Sequence, residues 1–246
     1  MADMRRIAVV GGALSLFPLG LPVVQGLEEA HEARKQIAAV RSSSETDIQE
    51  ALSRSPISVQ PVRLDPQNSS VNNCSGVIVN GNIYTAKHCF YTNGGDGELE
   101  GKTFDIIAQD GSQLGTIDSA DFNVDQSDFA VHRLTEDVCE RKPVQGEKAW
   151  TVHWIGSEDK PFFADFTVGN ANTSRPNLFE MDQFKPGSEL YKGSSGAGIF
   201  ATSDGCLIGV ATAISATGPN LGGVQFGHIN GHYFTAVPEE KGTRPE

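Results

Sequence analysis

The hydrophobic pattern changes character along the chain. An apolar run from Ile7 to Val24 follows Arg5 and Arg6 and gives way to Gln25-Gly26. A basic start, an apolar middle and a small-residue end are the layout of a secretory signal peptide, so residues 1–26 are expected to be removed on export, with a cut near Val24-Gln25-Gly26. The competing reading is an uncleaved anchor. The run is marginally long enough to span a bilayer, but its glycines and prolines weaken that. Residues 27–61 are rich in Ala, Glu, Gln, Arg and Ser and carry no aromatic side chain. Leu27, Ala30, Ala33 and Ile37 keep helical spacing, and Ser44 with Asp47 resembles a capping box before Ile48 to Leu52, which predicts two short helices. Such a segment reads either as a propeptide or regulatory arm, or as a solvated extension with weak helicity.

From Val62 onward the text becomes short apolar and β-branched runs divided by turn formers. Gly76 to Val79 precedes Asn80-Gly81-Asn82, Ile83 to Ala86 follows it, and Phe104 to Ala108 precedes Asp110-Gly111. Later runs are Phe129 to Leu134, Ala149 to Ile155, Ala197 to Thr202 before Asp204-Gly205, and Cys206 to Ile214. Asn-Gly and Asp-Gly pairs are hairpin signals. Even spacing without intervening long helices predicts an all-β fold of antiparallel barrels or a sandwich rather than a βαβ sheet. Residues 238–246, PEEKGTRPE, read as a frayed tail.

Composition narrows the class further. The 246 residues include 31 acidic and 19 basic side chains, for a formal charge of −12. A net negative chain without a basic stripe disfavours nucleic acid as its main partner. Hydrophobic residues at 38% supply a core and exclude general disorder, while 27 glycines and 12 prolines suit many turns. Collagen, coiled coil and a multi-span membrane protein are excluded. Export makes disulfides the expected state of Cys74, Cys89, Cys139 and Cys206, because no CxxC or HExxH spacing suggests a metal site. Asn68, Asn73 and Asn172 begin glycosylation sequons, which matter only in a eukaryotic source.

Three stretches carry the chemistry. In the first, Cys74 to Cys89, a hairpin returns two cysteines to one another with His88 beside the second. A bridge closing that loop stabilises by about 3 kcal/mol and holds His88 at a strand end. In the second, Ser127-Asp128 stands directly before the apolar Phe-Ala-Val, where a half-buried carboxylate can accept a hydrogen bond from an imidazole. Asp121 and Asp125 compete for that role but read as loop acids. The third is Gly193-Ser194-Ser195-Gly196-Ala197-Gly198, whose small residues permit a tight turn exposing a hydroxyl and several N–H groups.

These stretches resemble the chymotrypsin-like, trypsin-fold serine proteases. Thr-Ala-Lys-His88-Cys89 is similar to that family's TAAHC, Ser-Asp128-Phe-Ala-Val to its DIAL-type stretch, and GSSGAG to its GDSGGP. The order His, Asp, Ser matches too, whereas α/β-hydrolases place serine first and subtilisins aspartate first. Intervals of 40 and 67 residues between the three suit a compact bacterial, viral or fungal-type member. The resemblance implies two antiparallel six-stranded β-barrels, about residues 62–145 and 146–237, with the active site between them. It also implies Ser195 as nucleophile, His88 as base and Asp128 as its orienting carboxylate, with the N–H groups of Gly193 and Ser195 as oxyanion hole. Further implications are protein or peptide substrates, no metal or other cofactor, no stable membrane association after signal cleavage, and a secreted monomer.

Some positions depart from the family. Ser194 stands where the animal enzymes carry an aspartate that pairs with a newly cut amino terminus, and no Arg-Ile-Val-Gly-Gly-like site precedes Cys74. Activation by that ion pair is therefore not expected. Glu189, six residues before the nucleophile, would line a specificity pocket and favour Lys or Arg in the substrate. Gly209 to Ile214 resembles the substrate-pairing strand, with Thr212-Ala213-Ile214 in place of Ser-Trp-Gly. Cys139 and Cys206 are the remaining cysteine pair. His228 and His232 are four apart, like helical metal ligands, but flanking glycines favour strand or loop roles for them.

The rival reading is a non-catalytic relative that keeps the fold as a binding or adhesion module.

Overall fold

A computed structural model describes residues 45–53, 55, 57–67, 73–90, 102–124, 127–136, 138–155, 160–184, 190, 193–217, 220–221, 224–225 and 228–238, with backbone alone at 213–217, 220–221, 224–225 and 228–231. The expected signal peptide, the first helix of the extension and the terminal tail beyond Pro238 lie outside these residues. No helix among the described residues is long and apolar enough to cross a membrane.

The first sheet contains β1 (Val59–Pro66), β2 (Cys74–Val79), β3 (Asn82–Ala86), β4 (Thr103–Ile107), β5 (Gln113–Asp118), β6 (Asn123–Val124) and β7 (Phe129–His132), in the order β5-β4-β1-β2-β3-β7-β6. The β2–β3 hairpin turns on Asn80 and Gly81, at φ +48° and +91°. A two-residue turn that follows the twist of its strands requires left-handed backbone at both positions. It sets Val79 opposite Asn82 and Val77 opposite Tyr84. The outermost strands, β5 and β6, are consecutive in the chain and separated by the 3-10 turn Ser119–Asp121 and Phe122. One continuous stretch therefore forms both ends, and the sheet curls into a half-barrel. The expected six strands become seven because that turn splits Gln113–Val124.

Strand β1 begins at Val59, inside the stretch expected to be an extension. Pro61 obscured it in the sequence, since proline interrupts a ladder. Here Pro61 pairs with Val77 of β2, and β4 joins β1 only from Arg63 onward, so the missing N–H falls where β1 has a partner on one side alone.

The second sheet is a closed barrel, β10-β15-β12-β11-β8-β9. Its strands are β8 (Lys148–His153), β9 (Phe162–Ala171), β10 (Leu178–Asp182), β11 (Gly198–Ala201), β12 (Leu207–Thr217) and β15 (His228–Ala236), while β13 (Asn220–Leu221) and β14 (Val224–Gln225) pair as a separate ribbon.

Three apolar clusters explain the strand sequences. Val62, Leu64, Phe90, Phe104, Ile106 and Ile117 belong to the cluster inside the first sheet. Ala164, Phe166, Val168, Ile199, Ile208 and Phe234 belong to the one inside the barrel. The third cluster joins Val77, Val79, Tyr84, Phe129 and Val131 of the first sheet to Trp150, Val152, Phe200, Leu207 and Val210 of the barrel. Strands such as β8 and β11 are thus buried on both faces: Ala149 and Ile199 point into the barrel and Trp150 and Phe200 into the shared layer. That is why they read as near-continuous apolar runs rather than as alternating ones.

Residues 45–53 are helical and contribute to the shared layer. Ile48 is 1% exposed within the third cluster, and Ala51, Leu52 and Ile57 pack against it. The predicted helix around Ile48 to Leu52 is present, and its apolar stripe is core.

Candidate active site

His88 sits in the 3-10 turn Lys87–Phe90 that continues β3. The disulfide Cys74–Cys89, with Cα atoms 6.1 Å apart, ties this turn to the start of β2. Asp128 lies in the bend just before β7, which pairs with β3 through Ala86 and Phe129. Strand pairing alone therefore brings the two residues together across 40 positions. Asp128 engages His88 twice: Oδ2 lies 2.6 Å from Nδ1 of the ring, and Oδ1 accepts the main-chain N–H at 2.7 Å. The main-chain oxygen of Asp128 accepts from Lys87 N at 3.3 Å. With one carboxylate oxygen on the backbone and one on Nδ1, the ring is held so that Nε2 is the nitrogen left for a reacting group. The side chains are 43% and 26% exposed, so the pair sits at the surface within reach of a substrate.

Ser195 approaches from the barrel. Its carbonyl accepts from Ser75 N of β2 at 2.8 Å and lies 3.9 Å from the Cys89 sulfur, next in chain to His88. Gly196 N donates to Ala211 O of β12 at 2.7 Å. Gly196 has φ +87°, and a Cβ there would fall 2.1 Å from Thr85 Oγ1 and 2.2 Å from Ser75 O. Only glycine lets the turn press this closely on β2 and β3, at the end of the hairpin that leads to His88. Gly196→Ala is expected to lower stability by about 2–4 kcal/mol through backbone strain and overpacking, measured by urea unfolding. An unchanged unfolding midpoint would contradict the docking. Among the described residues Ser195 Oγ makes no hydrogen bond to His88; catalytic bonds of this kind often tighten only with substrate present.

The other expected residues are placed as follows. Gly193 is buried, and its carbonyl accepts from Ser75 Oγ at 2.8 Å. Thr212 on β12 is half-buried and shares its hydroxyl with Thr235 Oγ1 at 2.6 Å, an internal engagement on the candidate substrate strand. Glu189 and Asp125 lie outside the described residues. Asp121 supports the turn after β5, its Oδ2 accepting from Asp118 N at 3.2 Å. His228 and His232 fall on β15, in the strand role expected for them; His232 is buried, with Phe184 edge-on at 4.7 Å. Cys139 and Cys206 are disulfide-bonded. No group of three or more His, Cys, Asp or Glu suited to a metal ion is found among the described residues. A cavity of about 560 Å³, lined by Asp47, Glu50, Trp150, Phe163, Asp165 and Asp204 among others, lies where the helix meets the barrel, and none of His88, Asp128 and Ser195 borders it.

Sequence reading passed over His153 and Ser75. His153 is fully buried at the end of β8, its Nδ1 2.7 Å from Ser194 Oγ. The available signal was a histidine inside the apolar run Ala149 to Ile155, where a polar ring needs a partner.

No protein-family model matches the chain, and no curated protein matches it. Solved structures do. Human heparin binding protein is 17% identical, covering 71% of this chain and 85% of its own, at a TM-score of 0.50. Tobacco etch virus protease complexed with product is 15% identical over 74% of this chain and 73% of its own, at 0.46. The MamO protease domain from Magnetospirillum magneticum is 14% identical over 73% of this chain and 91% of its own, at 0.44. Identities this low speak to fold alone. The architecture, a closed barrel packed on a curled sheet, is the chymotrypsin-like double barrel.

Proposed function

We propose that the protein is a serine endopeptidase that cleaves peptide bonds through an acyl-enzyme intermediate. The observation that carries this reading is the double engagement of His88 by Asp128, with contacts of 2.6 and 2.7 Å, beside a turn that presents Ser195. A general base needs its ring fixed in one tautomer with the other nitrogen open, and the contact of Asp128 with Nδ1 meets that need for Nε2. In this reading Ser195 Oγ attacks the scissile carbonyl carbon while His88 Nε2 takes the hydroxyl proton. Asp128 stabilises the resulting imidazolium, and the N–H groups of Gly193 and Ser195 receive the oxyanion. His88 then returns the proton to the leaving amine, and water repeats the sequence to release the acid. Substrates are proteins or peptides, with Thr212 and Glu189 as candidates for contact with them. Two disulfides agree with an oxidising compartment, and we place the protein outside the cytoplasm as a monomer.

A second reading, a non-catalytic binding module on the same fold, is favoured by the missing hydrogen bond between Ser195 Oγ and His88. A fluorophosphonate probe separates the two. Labelling of the wild type and none of Ser195→Ala or His88→Ala is expected; a folded wild type that stays unlabelled supports the binding module.

A further inference from the structure

Outside the proposed catalytic three, a connected set of buried polar groups lies against the turn that carries Ser195. Ser75 and His153 are fully buried and Ser194 is 1% exposed. Ser75 Oγ donates to Gly193 O at 2.8 Å and accepts from Trp154 N at 2.9 Å, while Ser75 N donates to Ser195 O. Thr85 Oγ1 donates to Ser75 O at 2.9 Å, fixing the donor strand itself. Ser194 Oγ shares the 2.7 Å bond with His153 Nδ1 and lies 3.3 Å from Trp154 O. The main chain of Trp154 therefore links the two halves, its N–H to Ser75 and its oxygen to Ser194.

These bonds fall on successive peptide planes. Gly193 O is held by Ser75 Oγ, Ser194 O accepts from Ala197 N at 3.1 Å, and Ser195 O is held by Ser75 N. A trans peptide is planar, so fixing its carbonyl fixes the direction of its N–H. The plane between Ser194 and Ser195 carries one of the two N–H groups that would meet the oxyanion; the turn's own Ala197 N–H holds it, and Ser75 holds the planes on either side. Ser194 occupies the position where the resembled animal enzymes use an aspartate paired with a new amino terminus. Here its hydroxyl meets an imidazole supplied by β8.

We propose that Ser75, His153 and Ser194 are positioning residues that hold the oxyanion-binding turn in its working shape by buried hydrogen bonds. The proposal rests on the protease reading above. Loss of one member leaves a buried partner unpaired and frees the turn to rotate a peptide away from the reacting carbonyl.

The test uses the full chain and its Ser75→Ala, Ser194→Ala, His153→Phe and His153→Asn variants, each checked for folding by thermal melting. Three readouts apply: phosphonylation rate with a fluorophosphonate, kcat and KM on p-nitrophenyl acetate, and inhibition by a peptide aldehyde as transition-state mimic. Ser75→Ala, Ser194→Ala and His153→Phe are expected to lose about 10- to 100-fold in kcat with KM little changed, and to bind the aldehyde correspondingly less well. His153→Asn, whose amide sits where Nδ1 was, is expected to recover most of the loss seen with Phe. The double variant Ser194→Ala with His153→Phe should be no worse than the more impaired single one, because both remove the same bond. Folded variants with wild-type kcat and aldehyde affinity, or a change confined to KM, overturn the positioning role while leaving the protease reading intact. If Ser194→Ala does not fold, Ser75→Ala and the contrast between His153→Phe and His153→Asn decide. A wild type that neither labels nor turns over overturns both readings together.

Discussion

Replacing Ser195 with Ala is expected to lower kcat on casein by about 10⁶-fold, and His88→Ala by a similar factor, with the melting temperature unchanged. In the proposed mechanism the losses match because nucleophile and base act as one unit: without either, no alkoxide-like oxygen would be produced at neutral pH. Combining them should cost no more than one alone. Asp128→Asn is the more informative variant. An amide at this position can still meet the His88 main-chain N–H through its oxygen, so the turn keeps its shape. The NH₂ group then faces Nδ1 as a donor, forcing the ring proton onto Nε2, the nitrogen that must accept from Ser195. A loss of about 10⁴-fold in kcat is expected from that tautomer alone. Retention of a tenth or more of wild-type activity in Asp128→Asn would show that the close contact between Asp128 and His88, 2.6 Å in the structure, is not catalytic.

Ile48→Ala should cost about 2–5 kcal/mol, visible as a melting temperature lower by roughly 10 °C. The helix at 45–53 lies in the segment that reads as a propeptide or a solvated arm, yet its Ile48 packs in the layer that joins the first sheet to the barrel. Removing three carbons there opens a cavity against residues of both sheets, such as Val77 and Trp150, and neither sheet can collapse into it without losing its register. Any processing that leaves a stable protein should therefore cut before residue 45. Mass spectrometry of the purified chain checks this directly: an amino terminus beyond Ile48 with undiminished stability would refute the structural role of the helix.

Much of the candidate site was legible because its signals are local. Asn80-Gly81 specifies the tight turn that pairs β2 with β3, and that hairpin carries Cys74 to Cys89 and fixes His88 at its end. Asp128 was separable from Asp121 because an apolar strand follows it at once, and a strand pairing with β3 delivers its carboxylate to His88. The reach of the fold was less visible. The start of β1 at Val59 was hidden by Pro61, whose cost depends on whether a neighbouring strand needs its N–H, and only the pairing order answers that.

By itself, then, the sequence determined the all-β class, the hairpins, the bridged turn and the order of His88, Asp128 and Ser195, since turn chemistry and strand periodicity act over a few residues. The tertiary structure alone decided that Ile48 is core, that Trp150 and Phe200 face the other sheet, and that His153 and Ser75 meet the turn at Gly193 to Ser195. The bonds from His153 to Ser194 and from Ser75 to Gly193 join positions 41 and 118 residues apart. Which buried polar atoms become partners at such distances is set by how two curved sheets pack together, and no local pattern encodes that packing.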